Sequence, residues 1–429
     1  MSSSTSRAGP AVYDAVVVGA SFAGLAFASV AATRGMKVLV LERDAQVGGI
    51  VRTTGILFSD VFDVCDVPQR YLLNAVRRIW IQPPGQPACE VSGTAFRFYM
   101  ADVTGMLQWM AETARDHGAA VSCGSAFVDA VRQPDGLMRI TYRTTGADHT
   151  GQTSPETIDA RFLIGADGSH SRVAQCLGLD QNTQMLAGAE WLIEGVPVDR
   201  ETFWLVMDHH LAPGYCVWLA PHGNIAALGV AGHQRAFKPN ETLRVAPELF
   251  KDVADFSRMR IVERKGGVIP TGGRLRRVYR DDERGRALLL GDAAGHCGAA
   301  TGGGIYPALV AAKLAGQAVA NEVLNGSTGA VKAYLRDLPQ AGRLGHYLQI
   351  EDWLRWVMDR LGSNEDVAAF YGLLTSPSGR KVLQRTLFEQ PIIGMDSGFF
   401  ALLRNLLGQH PRVYGAAFRA AWQRVTSRA

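Results

Sequence analysis

Two short apolar runs, Ala15 to Val18 and Val38 to Leu41, open the chain, with a stretch of small residues between them from Phe22 to about Arg34. Runs this short that end at glycine or charge predict buried strands, and the longer stretch between them predicts a helix. Further along, Val103, Met106, Leu107, Met110 and Ala114 fall at helical spacing. They predict a helix over residues 102–117 that stops at Gly118, with a strand from Ala119 to Cys123 behind it. Residues 77–100 alternate between apolar and polar and are interrupted by Pro83, Pro84 and Pro87, which predicts short strands in a separate sheet. Residues 126–162 predict more strands, with turns at Pro134-Asp135-Gly136 and Thr144-Thr145-Gly146 and a polar surface hairpin in DHTGQTSPET.

The strand Phe162 to Ile164 runs into Gly165-Ala166-Asp167-Gly168, and a helix is expected near Ser171 or Arg172. Residues 185–265 read as alternating strands carrying Trp191, Trp204 and Trp218, the expected substrate-facing sheet. In Gly214-Tyr215-Cys216-Val217-Trp218-Leu219-Ala220-Pro221, Trp218 shares a strand face with Cys216 and Ala220, a pattern that equally suits a core tryptophan. A buried strand from Ala287 to Leu290 ends in Gly291-Asp292. Gly302-Gly303-Gly304 then precedes a long alanine-rich helix from Ile305. From Ser327 the chain reads as helical. Amphipathic helices from Gly394 to Ala429 would either pack on the same domain or rest on a membrane or lipid pocket.

Length and composition narrow this picture. At 429 residues, 47% hydrophobic and 20% charged, the chain is a globular protein with room for two or three domains. A formal net charge of +4, scattered, gives no footprint for nucleic acid. The six cysteines form no CxxC pair and no zinc spacing, so free thiols in a reducing, cytoplasmic compartment are expected, with no metal. Residues 1–10 are polar and small, a loose tail without the apolar core of a signal peptide. The glycines at 19 and 24 break the apolar stretch Ala15 to Ala32 into a strand and a helix, which argues against a membrane span.

The chemistry gathers at three glycine-bounded turns. In Gly19-Ala20-Ser21-Phe22-Ala23-Gly24, Gly19 permits the sharp turn and Gly24 a close helix approach, while the helix start offers free N–H groups to a pyrophosphate. Glu42, eighteen residues past Gly24, stands where a carboxylate accepts from ribose hydroxyls. Together they have the layout of a dinucleotide site, although Ser21 replaces the usual middle glycine. Arg52, behind the Gly48-Gly49 loop, is either a phosphate contact or a solvated arginine. Asp167 can bond nearby backbone N–H groups or a ribose hydroxyl, and Asp292 can hold a sugar-like hydroxyl.

Taken in order, the three motifs resemble the FAD-dependent oxidoreductases of the para-hydroxybenzoate hydroxylase fold, over roughly residues 12 to 330. The detail GDAAG (291–295) followed by TGGGIY (301–306) is most similar to the geranylgeranyl reductase branch. The resemblance implies an α/β (α+β overall) fold. A discontinuous Rossmann-like FAD-binding domain would take residues 11–76, 101–184 and 266–330, an antiparallel β-sheet substrate domain 77–100 and 185–265, and a C-terminal helical region 331–429. It assigns Gly19, Ser21 and Gly24 to the FAD pyrophosphate and Glu42 to the ribose, and Phe22, Ala23, Arg43, Gly49 and Arg52 are expected to be cofactor-binding as well. Asp167 and Gly168 are associated with FAD and NAD(P)H, Gly291 and Asp292 with the ribityl region, and Gly302, Gly303, Gly304 and Ile305 lie under the flavin ring. Tyr215, Cys216, Trp218 and Pro221 correspond to the strand over the substrate, where the branch's Tyr and Phe are replaced by the small residues Cys216 and Ala220. Ala299 stands for a usual proline and Val103 for a usual arginine.

The expected function is an FAD-dependent oxidoreductase acting on a hydrophobic small molecule. As in geranylgeranyl reductases, hydride would pass from reduced flavin N5 to a C=C bond, with NAD(P)H, another reductant or an electron-transfer partner as donor. His296 and Tyr306, flanking the third motif, are the candidate proton donors or substrate contacts. The alternative is a monooxygenase working through a flavin C4a-hydroperoxide. A halogenase ranks lower, since that branch needs a lysine in the N-terminal half and this chain has none between Lys37 and Lys238. A non-enzymatic flavin-binding protein ranks lower as well.

Overall fold

The computed structural model describes residues 12–93, 98–144, 155–235 and 237–384. The N-terminal tail, most of the polar hairpin tip and the amphipathic helices expected from Gly394 lie outside the described residues. The helices are α1 (Phe22–Thr33), α2 (Val103–Asp116), α3 (Arg172–Leu177), α4 (Pro239–Leu249), α5 (Ile305–Leu324), α6 (Ala330–Asp337), α7 (Leu344–Met358), α8 (Asn364–Thr375) and α9 (Pro377–Gln384).

A six-stranded sheet forms the nucleotide-binding half. Its order is Tyr279–Asp282, Gly285–Leu289, Leu163–Gly165, Ala15–Val18, Val38–Leu41 and Ala120–Ser122. Every neighbouring pair is parallel except the antiparallel edge strand Tyr279–Asp282. The two central strands are buried along their whole length, which is why they read as continuous apolar runs. α1 packs against α5 through a glycine: a Cβ on Gly316 would stand 3.1 Å from the Phe27 carbonyl oxygen and from Val30. A four-stranded sheet, in which Val12–Tyr13 pairs with Pro155–Ala160, then Met138–Thr144 and Ser125–Arg132, flanks this half.

The second half rests on a seven-stranded sheet in the order Arg260–Pro270, Met185–Glu194, Ile225–His233, Val217–His222, Thr202–Val206, Arg78–Gln82 and Cys89–Ser92. Its outer face buries Trp191, Ile193, Val217 and Leu219 against Leu243, Ala246 and Phe250 of α4 and the turn after it. Its inner face buries Leu186, Leu192, Cys216, Trp218 and Ala220 against Val357 of α7, Val367 and Phe370 of α8, and Phe98 and Met100.

Two expectations need correction. Residues 185–265 are not strands throughout. PNETLRVAPEL folds as α4, opened by Pro239 at its first turn, where proline loses no hydrogen bond and its fixed φ suits the helix. Nor do residues 77–100 form one separate sheet. Arg78–Gln82 and Cys89–Ser92 join the seven-stranded sheet, whereas Phe98–Ala101 pairs with Ile56–Phe58 and Leu72–Val76 in a three-stranded sheet.

Candidate functional site

The first cradle is built on two close approaches. Gly19 holds φ +104°, and a Cβ there would overlap the Ala166 carbonyl oxygen, so the Gly19 turn and the Ala166-Asp167-Gly168 turn are in contact. A Cβ on Gly24 would overlap the Gly19 carbonyl oxygen, so the first turn of α1 sits on its own entry loop. Ser21 is the exposed N-cap of α1 and makes no side-chain capping bond, while Phe22 and Ala23 are buried behind it. Glu42 braces the loop: its Oε2 accepts from the Ala20 N–H at 2.8 Å and its Oε1 from the Asp44 N–H at 2.9 Å. Each oxygen keeps lone-pair capacity for a further donor. Arg43 points outward near Asp44. Gly49 packs on Gln46, and Arg52 lies elsewhere, its Cβ and carbonyl oxygen against Gly267 of the seven-stranded sheet.

Asp167 serves the fold. Its Oδ1 accepts from Ser171 Oγ at 2.6 Å, and its Oδ2 accepts from the N–H groups of Arg172 and Val173 at 2.7 and 3.1 Å. The side chain therefore caps α3. Burial raises its pKa, and those three donors oppose the rise.

The third motif forms a second cradle. Gly291 and Gly295 adopt positive φ around the short turn that presents Asp292. A Cβ on Gly304, the N-cap of α5, would stand 3.2 Å from Asp292 Oδ1. Among the described residues no protein donor bonds that carboxylate, and burial pushes its pKa up to about 6. His296 is 4% exposed, its Nδ1 has no hydrogen-bond partner, and burial together with Arg274 pulls its pKa down to about 4, so it is neutral at pH 7. Tyr306 donates to the Gly342 carbonyl at 3.5 Å, and burial, then Asp60 and Asp63, pushes its pKa up to about 12. Of the two, Tyr306 borders a cavity, lined also by Ile56, Phe58, Asp60, Gly303 and Tyr347.

The seven-stranded sheet meets this cradle edge-on. Tyr215 Oη donates to the Thr301 carbonyl at 2.5 Å, and a Cβ on Gly302 would touch both Tyr215 Oη and Ile269. Cys216 and Trp218 line the inner face, and burial raises the Cys216 thiol to about 12, keeping it protonated. Pro221 alternates to the outer face with Val217 and Leu219, so it does not share a surface with Trp218.

Two sets of residues escaped the sequence reading. On the inner face, Trp218 Nε1 donates to Glu190 Oε2 at 3.1 Å, and Lys265 Nζ lies 3.7 Å from Glu190 Oε1. Strand pairing alone sets Lys265 opposite Glu190. On α7, Tyr347, Glu351 and Arg355 follow one another at four-residue steps and grip the site loops. Tyr347 Oη donates to the Gly303 carbonyl at 3.2 Å. Glu351 Oε2 accepts from the N–H groups of Ala300 and Thr301 and from Thr301 Oγ1 at 3.0, 2.8 and 3.1 Å. Arg355 donates to the Gly214 carbonyl at 2.7 Å. The i, i+4, i+8 spacing was the available signal for these three.

The residues present suit FAD. α2 and α3 are capped by Asp102 and Ser171, whereas α1 and α5, the helices that start at the two cradles, have no side-chain cap. A helix start leaves N–H groups unpaired, and a pyrophosphate or an electron-rich ring is suited to them. Asp292, largely ionised at pH 7 and without a protein donor among the described residues, is suited to accept from a ligand hydroxyl.

Comparison with known proteins agrees. The FAD binding domain family matches residues 12–334. A digeranylgeranylglycerophospholipid reductase of Methanothermobacter thermautotrophicus is 25% identical over 359 residues, covering 82% of this chain and 89% of its own. Among solved structures, a geranylgeranyl bacteriochlorophyll reductase-like protein of Thermoplasma acidophilum superposes with a TM-score of 0.75 at 18% identity, covering 94% of this chain and 98% of its own. The flavin-dependent brominase Bmp2 superposes at 0.68 with 15% identity, covering 94% and 100%. These two share the fold.

Proposed function

We propose, from the premise that this chain belongs to the FAD binding domain family and is an FAD-dependent oxidoreductase, that it reduces a C=C bond of an apolar, isoprenoid-like substrate. The observation that carries the reading is the inner sheet face beside Gly302. There Gly188, Gly267, Ala231 and Cys216 form a floor of small residues next to Tyr215 and Ile269. Arg52 covers Gly267, whereas a Cβ on Gly188 would meet its nearest neighbours, Val230, Ala231 and Gly267 of its own sheet, only at 3.6 to 3.9 Å, so the room for a flat, apolar chain lies over Gly188. The digeranylgeranylglycerophospholipid reductases among the relatives support the same substrate class.

When bound, FAD supplies the two-electron chemistry, recharged by NAD(P)H or another reductant. Gly19, Ser21 and Gly24 and the start of α1 hold its pyrophosphate, Glu42 its ribose and Asp292 its ribityl hydroxyls, with Gly302–Ile305 against the ring. Tyr215 and Glu351 fix that loop from two sides. Tyr306 keeps its proton at neutral pH and borders the cavity at Gly303, so it is placed to give that proton to the reduced carbon. His296, neutral and enclosed, is left a packing role.

Anaerobic reduction of the FAD-loaded protein followed by addition of an isoprenoid olefin tests this. Reoxidation with loss of the double bond is the expected result. A protein that stays reduced under those conditions and gives an oxygenated product only after air is admitted would be a monooxygenase, and the proposal would fall.

A further inference from the structure

The inner sheet face is largely apolar; besides Glu263, His233 and His222 toward its margins, its polar side chains fall in one row. Lys265, Glu190, Gly229 and Trp218 are direct cross-strand neighbours on four adjacent strands. Gly229 is what allows the row to close: a Cβ there would overlap the Trp218 indole, so the ring lies across the glycine and its Nε1 reaches Glu190 Oε2. Thr54 lies beside the Glu190 side chain as well and helps to hold its pKa down against burial. Glu190 is 4% exposed, and its Oε1 has no hydrogen-bond partner. Lys265, with 9% of its side chain exposed, places Nζ 3.7 Å from that oxygen, too far for a hydrogen bond. Burying two ionisable groups in an apolar wall costs free energy, and across a gap of 3.7 Å the pair keeps its Coulomb attraction but leaves Glu190 Oε1 without a hydrogen bond.

We infer that this gap is a head-group subsite that takes the neutral hydroxyl of an otherwise apolar substrate, an alcohol or a phenol. A hydroxyl oxygen at about 2.8 Å from both atoms donates to Glu190 Oε1 and accepts from Lys265 Nζ, satisfying both groups. A carboxylate or phosphate would accept from Lys265 but face Glu190, and an ammonium would pair with Glu190 but face Lys265. The subsite lies one row beyond the small-residue floor. Lys265 is four residues from Ile269, about 13 Å along the strand from the residue that meets Gly302. The hydroxyl is therefore the far end of the substrate and its apolar body crosses the floor, which rests on the proposed reading of that face.

The test uses the FAD-loaded full chain and two probe series that differ only at the head. One is farnesol, farnesyl methyl ether and farnesoic acid, and the other 4-octylphenol, 4-octylanisole and 4-octylbenzoic acid, all followed by calorimetry. In at least one series the hydroxyl compound should bind about tenfold tighter than its ether, the worth of one hydrogen bond, and tighter than its acid. Glu190→Leu, which removes the acceptor of the hydroxyl proton, should bring that preference to about onefold. Equal binding of hydroxyl and ether by the unmodified protein in every series that binds, or no binding of either series, overturns the inference and leaves the gap to water alone. The unmodified protein decides this even if the variant misfolds. If the phenol series shows the preference and the farnesyl series does not bind, the isoprenoid reading fails and the hydroxyl subsite stands.

Discussion

Asp292 shows how much one side chain can report. Its pKa is raised to about 6 from an unfolded value near 3.8, so between those values the folded state holds a proton that the unfolded state has lost. The sign follows: FAD-free protein loses stability as pH rises from about 4 to about 6, by at most about 3 kcal/mol. Asp292→Asn should flatten that stretch of the pH–Tm profile and raise the Tm of FAD-free protein at pH 7 while weakening FAD retention. An unchanged profile would show that the carboxylate is solvated. Tyr306→Phe is expected to lower turnover by about a hundredfold or more, the range for a positioned proton donor, with FAD content unchanged. His296→Asn should leave turnover within a few-fold. At this scale the sequence was legible where partners are near in the chain. Gly19, Gly24 and Glu42 announce themselves because one βαβ unit sets their spacing. Asp167 was ambiguous because capping α3 and meeting a ribose ask for the same short acid. Glu190 and Lys265 were illegible because strand pairing brings them together from 75 positions apart, and no local pattern marks an acid that will end up buried.

Among the elements, the helices sort by their first turns. α2 and α3 carry side-chain caps, whereas α1 and α5, which start at the cradles, carry none, and neither do α4 and α6 away from them. α1 and α5 were legible because glycine turns and alanine-rich stretches flank them. α4 was not, because its proline and polar residues follow a strand-rich stretch and its apolar face is short, and only contact with the outer sheet face settles its state. α7 matters most for the site. Its Glu351 carboxylate is 2% exposed and holds three donors of the Ala300-Thr301 loop. Glu351→Ala leaves those donors unpaired and should cost about 3 kcal/mol, with a shifted flavin absorption band and faster FAD loss. Glu351→Gln, which keeps an acceptor, should recover most of the FAD retention. A purely structural role for the residue would lower Tm in both variants without moving the flavin spectrum.

At the scale of the molecule, the two halves meet at the site through contacts that include Tyr215 to Thr301 and Arg52 on Gly267. FAD would bridge unfilled helix starts in the nucleotide-binding half, so its binding should stabilise the whole chain: about 2.7 kcal/mol at free FAD a hundredfold above Kd. The check is a Tm that climbs with FAD concentration, and a Tm indifferent to FAD would contradict the fit. The architecture of a Rossmann-like half, a substrate sheet and C-terminal helices was readable from motif order. What the helices after Ser327 do was not, since an amphipathic face does not say which surface it covers.

The grip of α7 has a practical consequence for anyone dividing this gene. The segment shared with the family ends at residue 334, ten positions before α7 begins. A fragment cut there would keep all three glycine motifs and, among the described residues, every strand, yet lose the carboxylate under Thr301, the hydroxyl on Gly303 and the guanidinium on Gly214. Homology and foldability thus draw different borders. The portion that the family matches is not the portable one, and a domain swap or truncation library should keep its breakpoints beyond Met358.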